Sequence, residues 1–160
     1  MDEAAIARAV HVAAVVVWIG GVSMATTVVL PLVRRERKPI EAKLALFESV
    51  ERRFVWQARI ATLLVALSGF YMVYRYDLWS RFTSAEYWWM HAMVLVWLLF
   101  TLLLFVGEPL IVHRLVHKRV LAGDESVFRI LHGAHWVLLV LSLVTVLAAV
   151  AGSHGMSLVP

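Results

Sequence analysis

Between Val12 and Val33 the chain carries no charged side chain over twenty-two consecutive residues, VAAVVVWIGGVSMATTVVLPLV. As a helix rising about 1.5 Å per residue, this stretch reaches about 33 Å, enough to cross the hydrocarbon core of a bilayer. A chain inside lipid must satisfy its own backbone polar groups, which leaves a long apolar run little choice but a spanning helix. Three further runs follow, and the reading predicts spans at about residues 5–33, 54–76, 87–116 and 127–152. The composition agrees: 160 residues that are 62% hydrophobic and 16% charged are too apolar for a water-soluble domain. The expected fold is all-α, an integral membrane four-helix up-down bundle forming a single transmembrane domain over residues 1–160. No cysteine is present, so thiolate ligands and disulfides are excluded.

The basic residues sort by position. Arg34, Arg35, Arg37, Lys38, Lys43, Arg52 and Arg53 precede the second span, and Arg114, Lys118, Arg119 and Arg129 flank the last turn between spans. Arg8, Arg75 and Arg81 fall on the opposite side and Arg59 inside a span. By the positive-inside rule the two basic loops are cytoplasmic and both termini lie on the outer side, as in a multi-pass protein of the bacterial inner membrane. The cations form no patch with interleaved aromatics, so no nucleic-acid partner is expected. Residues 39–53 read as an amphipathic cytoplasmic segment, either lying on the membrane surface or extending the second span.

Seven histidines carry what chemistry the sequence offers. His11 and His91 each lie a short way inside a span near the outer face, at a shared depth. In a four-helix bundle the first and third spans are diagonal, roughly 11–14 Å apart from neighbouring axes of 8–10 Å. That separation suits a haem between two imidazoles, so His11 and His91 are the candidate axial ligands. Ala7, Ala14 and Gly21 recur every seven residues near the His11 side, with Ala25 beyond, a strip that lets a helix or a flat ligand approach. His113, His117, His132 and His135 lie towards the inner face, where His135 is the candidate for a third functional histidine. Arg75 and Arg81 stand where propionates would need a counter-charge. Arg59 and Glu108 are expected to pair and to pin the second span to the third.

The pattern His11-x6-Trp18-x-Gly20-Gly21 resembles the first span of the copper-resistance D (CopD-like) membrane proteins and of the HemJ-type protoporphyrinogen oxidases. The second span is similar in style, with Glu51-Arg52-Arg53-Phe54, Ala58-Arg59-Ile60-Ala61-Thr62 and Ser68-Gly69-Phe70-Tyr71. The resemblance covers all four spans in layout and the first two in motif. It implies a small bundle binding haem b or copper, with His11 as the carried-over ligand. In the HemJ-type pattern a Pro-Arg and a histidine follow the first span; here Pro31 leads into Leu32-Val33-Arg34 with no histidine.

The expectation is a b-type haem protein with a redox or electron-transfer role, an oxidoreductase if it is an enzyme, its haem held by His11 and His91. Copper handling through the same histidines and HemJ-like protoporphyrinogen oxidation are the alternatives, and a cofactor-free assembly subunit is the third. Expected partners are the lipid bilayer and a quinone, small redox substrate or redox protein, with homo-oligomerisation open.

Overall fold

Pro31 and Pro109 decide where the helices leave ordinary α geometry. The computed structural model describes residues 3–156, with the side chains of residues 111–113 outside the described set. Helix α1 (Glu3–Arg35) passes through a π-helical turn at Ala25–Val29, immediately before Pro31. Helix α2 (Ile40–Arg75) is uninterrupted. Two 3-10 turns, Trp79–Thr83 and Ala85–Tyr87, lead into α3 (88–121). Within α3 a π-helical stretch, Leu103–Val112, contains Pro109. After a tight turn at Gly123, whose φ of 69° is left-handed, α4 (Ser126–Ser153) completes the chain. At the start of α4 Asp124 accepts from the Ser126 hydroxyl and, at 2.9 Å, from the Ser126 N–H, and these bonds, with Arg119 at 3.2 Å, hold its carboxyl below the usual carboxylate range.

Each proline leaves one carbonyl stranded. In a π turn the N–H of residue i bonds the carbonyl of residue i−5, as Leu30 does to Ala25. The next donor in that register is Pro31, which has no N–H, so the Thr26 carbonyl has no helical partner. The same register pairs Pro109 with the Leu104 carbonyl. A stranded carbonyl in a membrane interior needs another donor.

Four helices are long and apolar enough to cross a membrane, which makes this a multi-pass membrane protein in contact with lipid. They form a ring: α1 packs most extensively on α2, α4 lies against both α1 and α3, and α3 closes on α2. The start of α1 lies beside the end of α2, where the Tyr71 hydroxyl donates to Glu3 and Arg8 reaches the Tyr76 hydroxyl. One core runs through the middle of the bundle, with Trp18 and Val22 from α1, Ala58 and Val65 from α2, Phe100 from α3 and Leu139 from α4. Apolar side chains such as Val16, Leu67, Leu95 and Leu147 face outward. Inside lie small polar ones: Thr26, Thr62, Ser142 and Thr145 each donate back to the carbonyl four residues earlier at 2.7–2.8 Å.

A second core occupies the basic end, built from Leu30 and Val33, Leu44 and Phe47, Val116 and Val120, and Val127 and Phe128. Of the two expectations for residues 39–53, the extension is the one observed. Thirty-six residues of α2 span about 54 Å against an apolar core of about 30 Å, so its basic end projects beyond the hydrocarbon.

The small-residue strip of α1 is covered by α2. Ala14 is buried in the core, and a Cβ added at Gly21 would overlap the ring of Phe54. Gly21→Ala should therefore destabilise the bundle by about 1–3 kcal/mol, the usual cost of overpacking. A Cβ at the adjacent Gly20 meets nothing, so Gly20→Ala should be neutral or mildly stabilising. Thermal unfolding in detergent separates the two; equal melting temperatures would remove Gly21 from the α1–α2 contact.

Candidate functional site

His11 is half-buried on the α2-facing side of α1, and its Nδ1 lies 3.1 Å from both the Val65 carbonyl and the Ser68 hydroxyl. The tautomer follows from the partners. A carbonyl can only accept, and the Ser68 hydroxyl already donates to Leu64, so Nδ1 carries the proton and both oxygens accept from it. Nε2 is left as a lone pair, with no partner among the described residues. The ring lies against bare backbone at Gly69, where a Cβ would stand 3.2 Å from His11 Cε1. A histidine whose Nδ1–H is held by a carbonyl while Nε2 stays open is the arrangement that metal-ligating histidines use. Two turns along α1, Trp18 packs edge-on against Phe100 with centroids 4.8 Å apart, closing the diagonal between α1 and α3. The Trp18 indole N–H is buried and is the unsatisfied side-chain donor found among the described residues.

His91 sits differently. It is exposed, its Nε2 donates to the Phe82 carbonyl at 3.0 Å, and its ring meets Phe82 edge-on. The two candidate ligands are thus held against different elements, His11 on α2 and His91 on the connection before α3. Arg75 is exposed in the last turn of α2, and Arg81 lies over the Tyr87 ring at 4.8 Å. His154 donates to the Val150 carbonyl of its own helix.

The inner histidines divide again. His132 Nδ1 lies 2.7 Å from Arg34 Nη1, and a guanidinium has no acceptor, so Nδ1 accepts and Nε2 bears the proton. That N–H donates at 2.9 Å to the Thr26 carbonyl, the one stranded by Pro31. Trp136 Nε1 is 3.0 Å from the same Nε2, a polar contact that this tautomer cannot turn into a hydrogen bond. His132 therefore ties α4 to the π turn of α1. His135 donates from Nδ1 to Leu131 at 2.9 Å, which leaves its Nε2 open as in His11. His117 pairs with Glu48 at 2.8 Å, joining α3 to α2. The side chain of His113 lies outside the described residues.

Arg59 and Glu108 do pair, at 3.0 Å. The sequence does not reveal the larger part of this contact: Arg59 also donates from Nε and Nη2, at 3.1 and 2.8 Å, to the Leu104 carbonyl stranded by Pro109. Both proline-broken helices are thus repaired by a cationic or imidazole side chain from a neighbour. Among the described residues no three histidine or acidic side chains gather into a group able to hold a metal ion. A haem needs only one or two imidazoles and no such group, so His11, with its pinned ring and open Nε2, fits axial ligation as it stands.

No family model, no characterised protein and no solved structure matches this chain.

Ser68, Gly69 and the Val65 carbonyl are the parts of the His11 site that inspection of histidines alone misses. The Ser-Gly pair inside an apolar span is their visible trace: a hydroxyl and a gap on one helix, at the level of an imidazole on the next.

Proposed function

We propose that this chain is a membrane redox protein that holds a b-type haem on His11 near one end of the bundle. The observation that carries the proposal is the His11 imidazole, fixed across helices by Val65 and Ser68 with Nε2 left as a lone pair. The unsatisfied Trp18 indole N–H on the same helix adds support, since a buried donor without a partner is expensive. Because Trp18 and Phe100 close the diagonal two turns further in, a flat cofactor is confined to the end nearest His11. His91 is the proposed opposite ligand, and to serve it must leave the Phe82 carbonyl and turn Nε2 inward. Arg75 is the proposed counter-charge for a propionate.

Bound there, the haem would supply a one-electron change at iron. The chain's own part is to hold the ligand nitrogen in place, to keep water away with the apolar walls of α1 and α2, and to set the potential through the hydrogen bonds on Nδ1. The partner is a quinone, a small redox substrate or a redox protein reaching that end. The absorption spectrum of protein purified from haem-replete cells tests the reading. A Soret band with sharp α and β bands on reduction is expected, and a featureless spectrum would overturn it.

The proposal includes an orientation: an up-down bundle in the bacterial inner membrane, with both termini and the His11 site outside. Eleven of the fifteen lysines and arginines fall at the opposite end, which supports it. Tags at either terminus should be labelled by an impermeant reagent on cells whose outer barrier is opened and inner membrane intact. A terminus protected until the inner membrane is broken would reverse the orientation.

A further inference from the structure

At the basic end a cavity of about 290 Å³ opens between the end of α1, the first turns of α2 and the start of α4. Its walls are Arg34, Lys43, Glu125, Ser126, Phe128 and Arg129. Three cations face one anion there. Glu125 accepts from Lys43 at 3.1 Å and offsets that one charge. Arg34 donates to the His132 imidazole, which contributes no negative charge. Arg129 is exposed and has no acceptor among the described residues. Two positive charges are therefore left without a counter-ion around a concave space.

The donors also converge. Lys43 is only 7% exposed, and an ammonium has three N–H groups, of which Glu125 takes one. The Ser126 hydroxyl and backbone N–H are both directed to Asp124, so neither competes for the cavity's one carboxylate, Glu125. The first turn of a 28-residue helix adds the partial positive charge of its N-terminus. Depth matters as well: Arg34 is the first charged side chain after the apolar run of α1, so the cavity lies where hydrocarbon gives way to headgroups. Basic loops that merely set topology point separate cations into water; here side chains from three helices share one hollow at headgroup level.

We propose that this cavity binds a phosphate-bearing anion, either the headgroup phosphate of an anionic phospholipid or a free phosphate of the same chemistry. The ligand phosphate would take donors from Arg34, Arg129 and Lys43, and the apolar end of α1 would lie along any acyl chains. The site is independent of the cofactor and stands whether or not haem binds.

The test uses the full chain in a neutral detergent, titrated with short-chain phosphatidylglycerol, short-chain phosphatidylcholine or inorganic phosphate while the thermal midpoint is followed. Phosphatidylglycerol should bind more tightly than phosphatidylcholine. Arg129→Gln should weaken it about fivefold, since one basic side chain near an anionic surface contributes about 1 kcal/mol. Glu125→Gln should tighten it by a similar factor, because it removes the anion that competes for Lys43. That gain distinguishes a binding role from a folding role, since a damaged protein does not bind more tightly. If inorganic phosphate saturates the shift and displaces the lipid, the ligand is a free phosphate. If it does neither while phosphatidylglycerol binds, the ligand is a headgroup. Absence of binding by both anions overturns the proposal, as does binding that neither Arg129→Gln nor Glu125→Gln changes.

Discussion

His11→Ala protein should purify without a low-spin haem spectrum, while His154→Ala retains it in full. Among the described residues, His11 is the histidine that another helix orients, through Val65 and Ser68, while its Nε2 stays free to bind iron. A methyl group offers no lone pair, so the variant loses a strong-field ligand that no neighbour supplies. His154 has the same open nitrogen but is exposed beyond the last turn of α4 and bonded only within its own helix. His91→Ala should convert the spectrum from six-coordinate low-spin to five-coordinate high-spin, with the haem retained on His11. Ser68→Ala probes the outer hydrogen bond: loss of a partner to a ligand's second nitrogen costs about 10–100-fold in affinity, so weakened haem retention is expected. Loss of a second, spectrally distinct haem in His135→Ala would mean sites at both ends of the bundle. An unaltered spectrum in His11→Ala would sink the assignment and direct attention to His135, the other deep histidine with an open Nε2.

The spans were legible because lipid imposes so few options on an apolar run, and each of the four predicted segments overlies one of the four helices, overrunning by a single residue at Tyr76 and at Tyr87. The pairing of Arg59 with Glu108 was legible for a related reason: two isolated opposite charges at a shared depth have few other partners. What the sequence hides is the role of backbone carbonyls. Nothing in the residues 65 or 82 marks them as acceptors for His11 and His91, because every residue carries the same oxygen. The two prolines are visible in the sequence, but whether each produces a kink, a break or a π turn depends on what can reach the carbonyl it strands. In the sequence His132 is one of four histidines towards the inner face, and its contact with Thr26 is explained by Pro31, 101 positions earlier. The small-residue strip admitted a helix or a flat ligand; contact with Phe54 of α2 decides for a helix at Gly21 and leaves only the end near His11 for anything flat.

Pro109→Ala should partly rescue Arg59→Met, although each proline-to-alanine change looks unrelated to an ion pair. Arg59→Met removes two things at once, the counter-charge of Glu108 and both donors to the Leu104 carbonyl. Breaking a buried pair costs about 3–5 kcal/mol. These side chains are 24% and 32% exposed, so about 2–3 kcal/mol is the expected loss. Glu108→Gln should cost less, because it leaves the Leu104 carbonyl capped. In the Arg59→Met background, alanine at position 109 restores an N–H five residues beyond Leu104, in the π register already present. That hydrogen bond should return about 1 kcal/mol. In the parent protein Arg59 already occupies the carbonyl, so the same substitution gains much less. The effect of Pro109→Ala on the unfolded chain is common to both backgrounds and cancels in the double-mutant cycle, which leaves the coupling through one carbonyl oxygen. Equal effects of Pro109→Ala in both backgrounds would show that Arg59 acts on Glu108 alone.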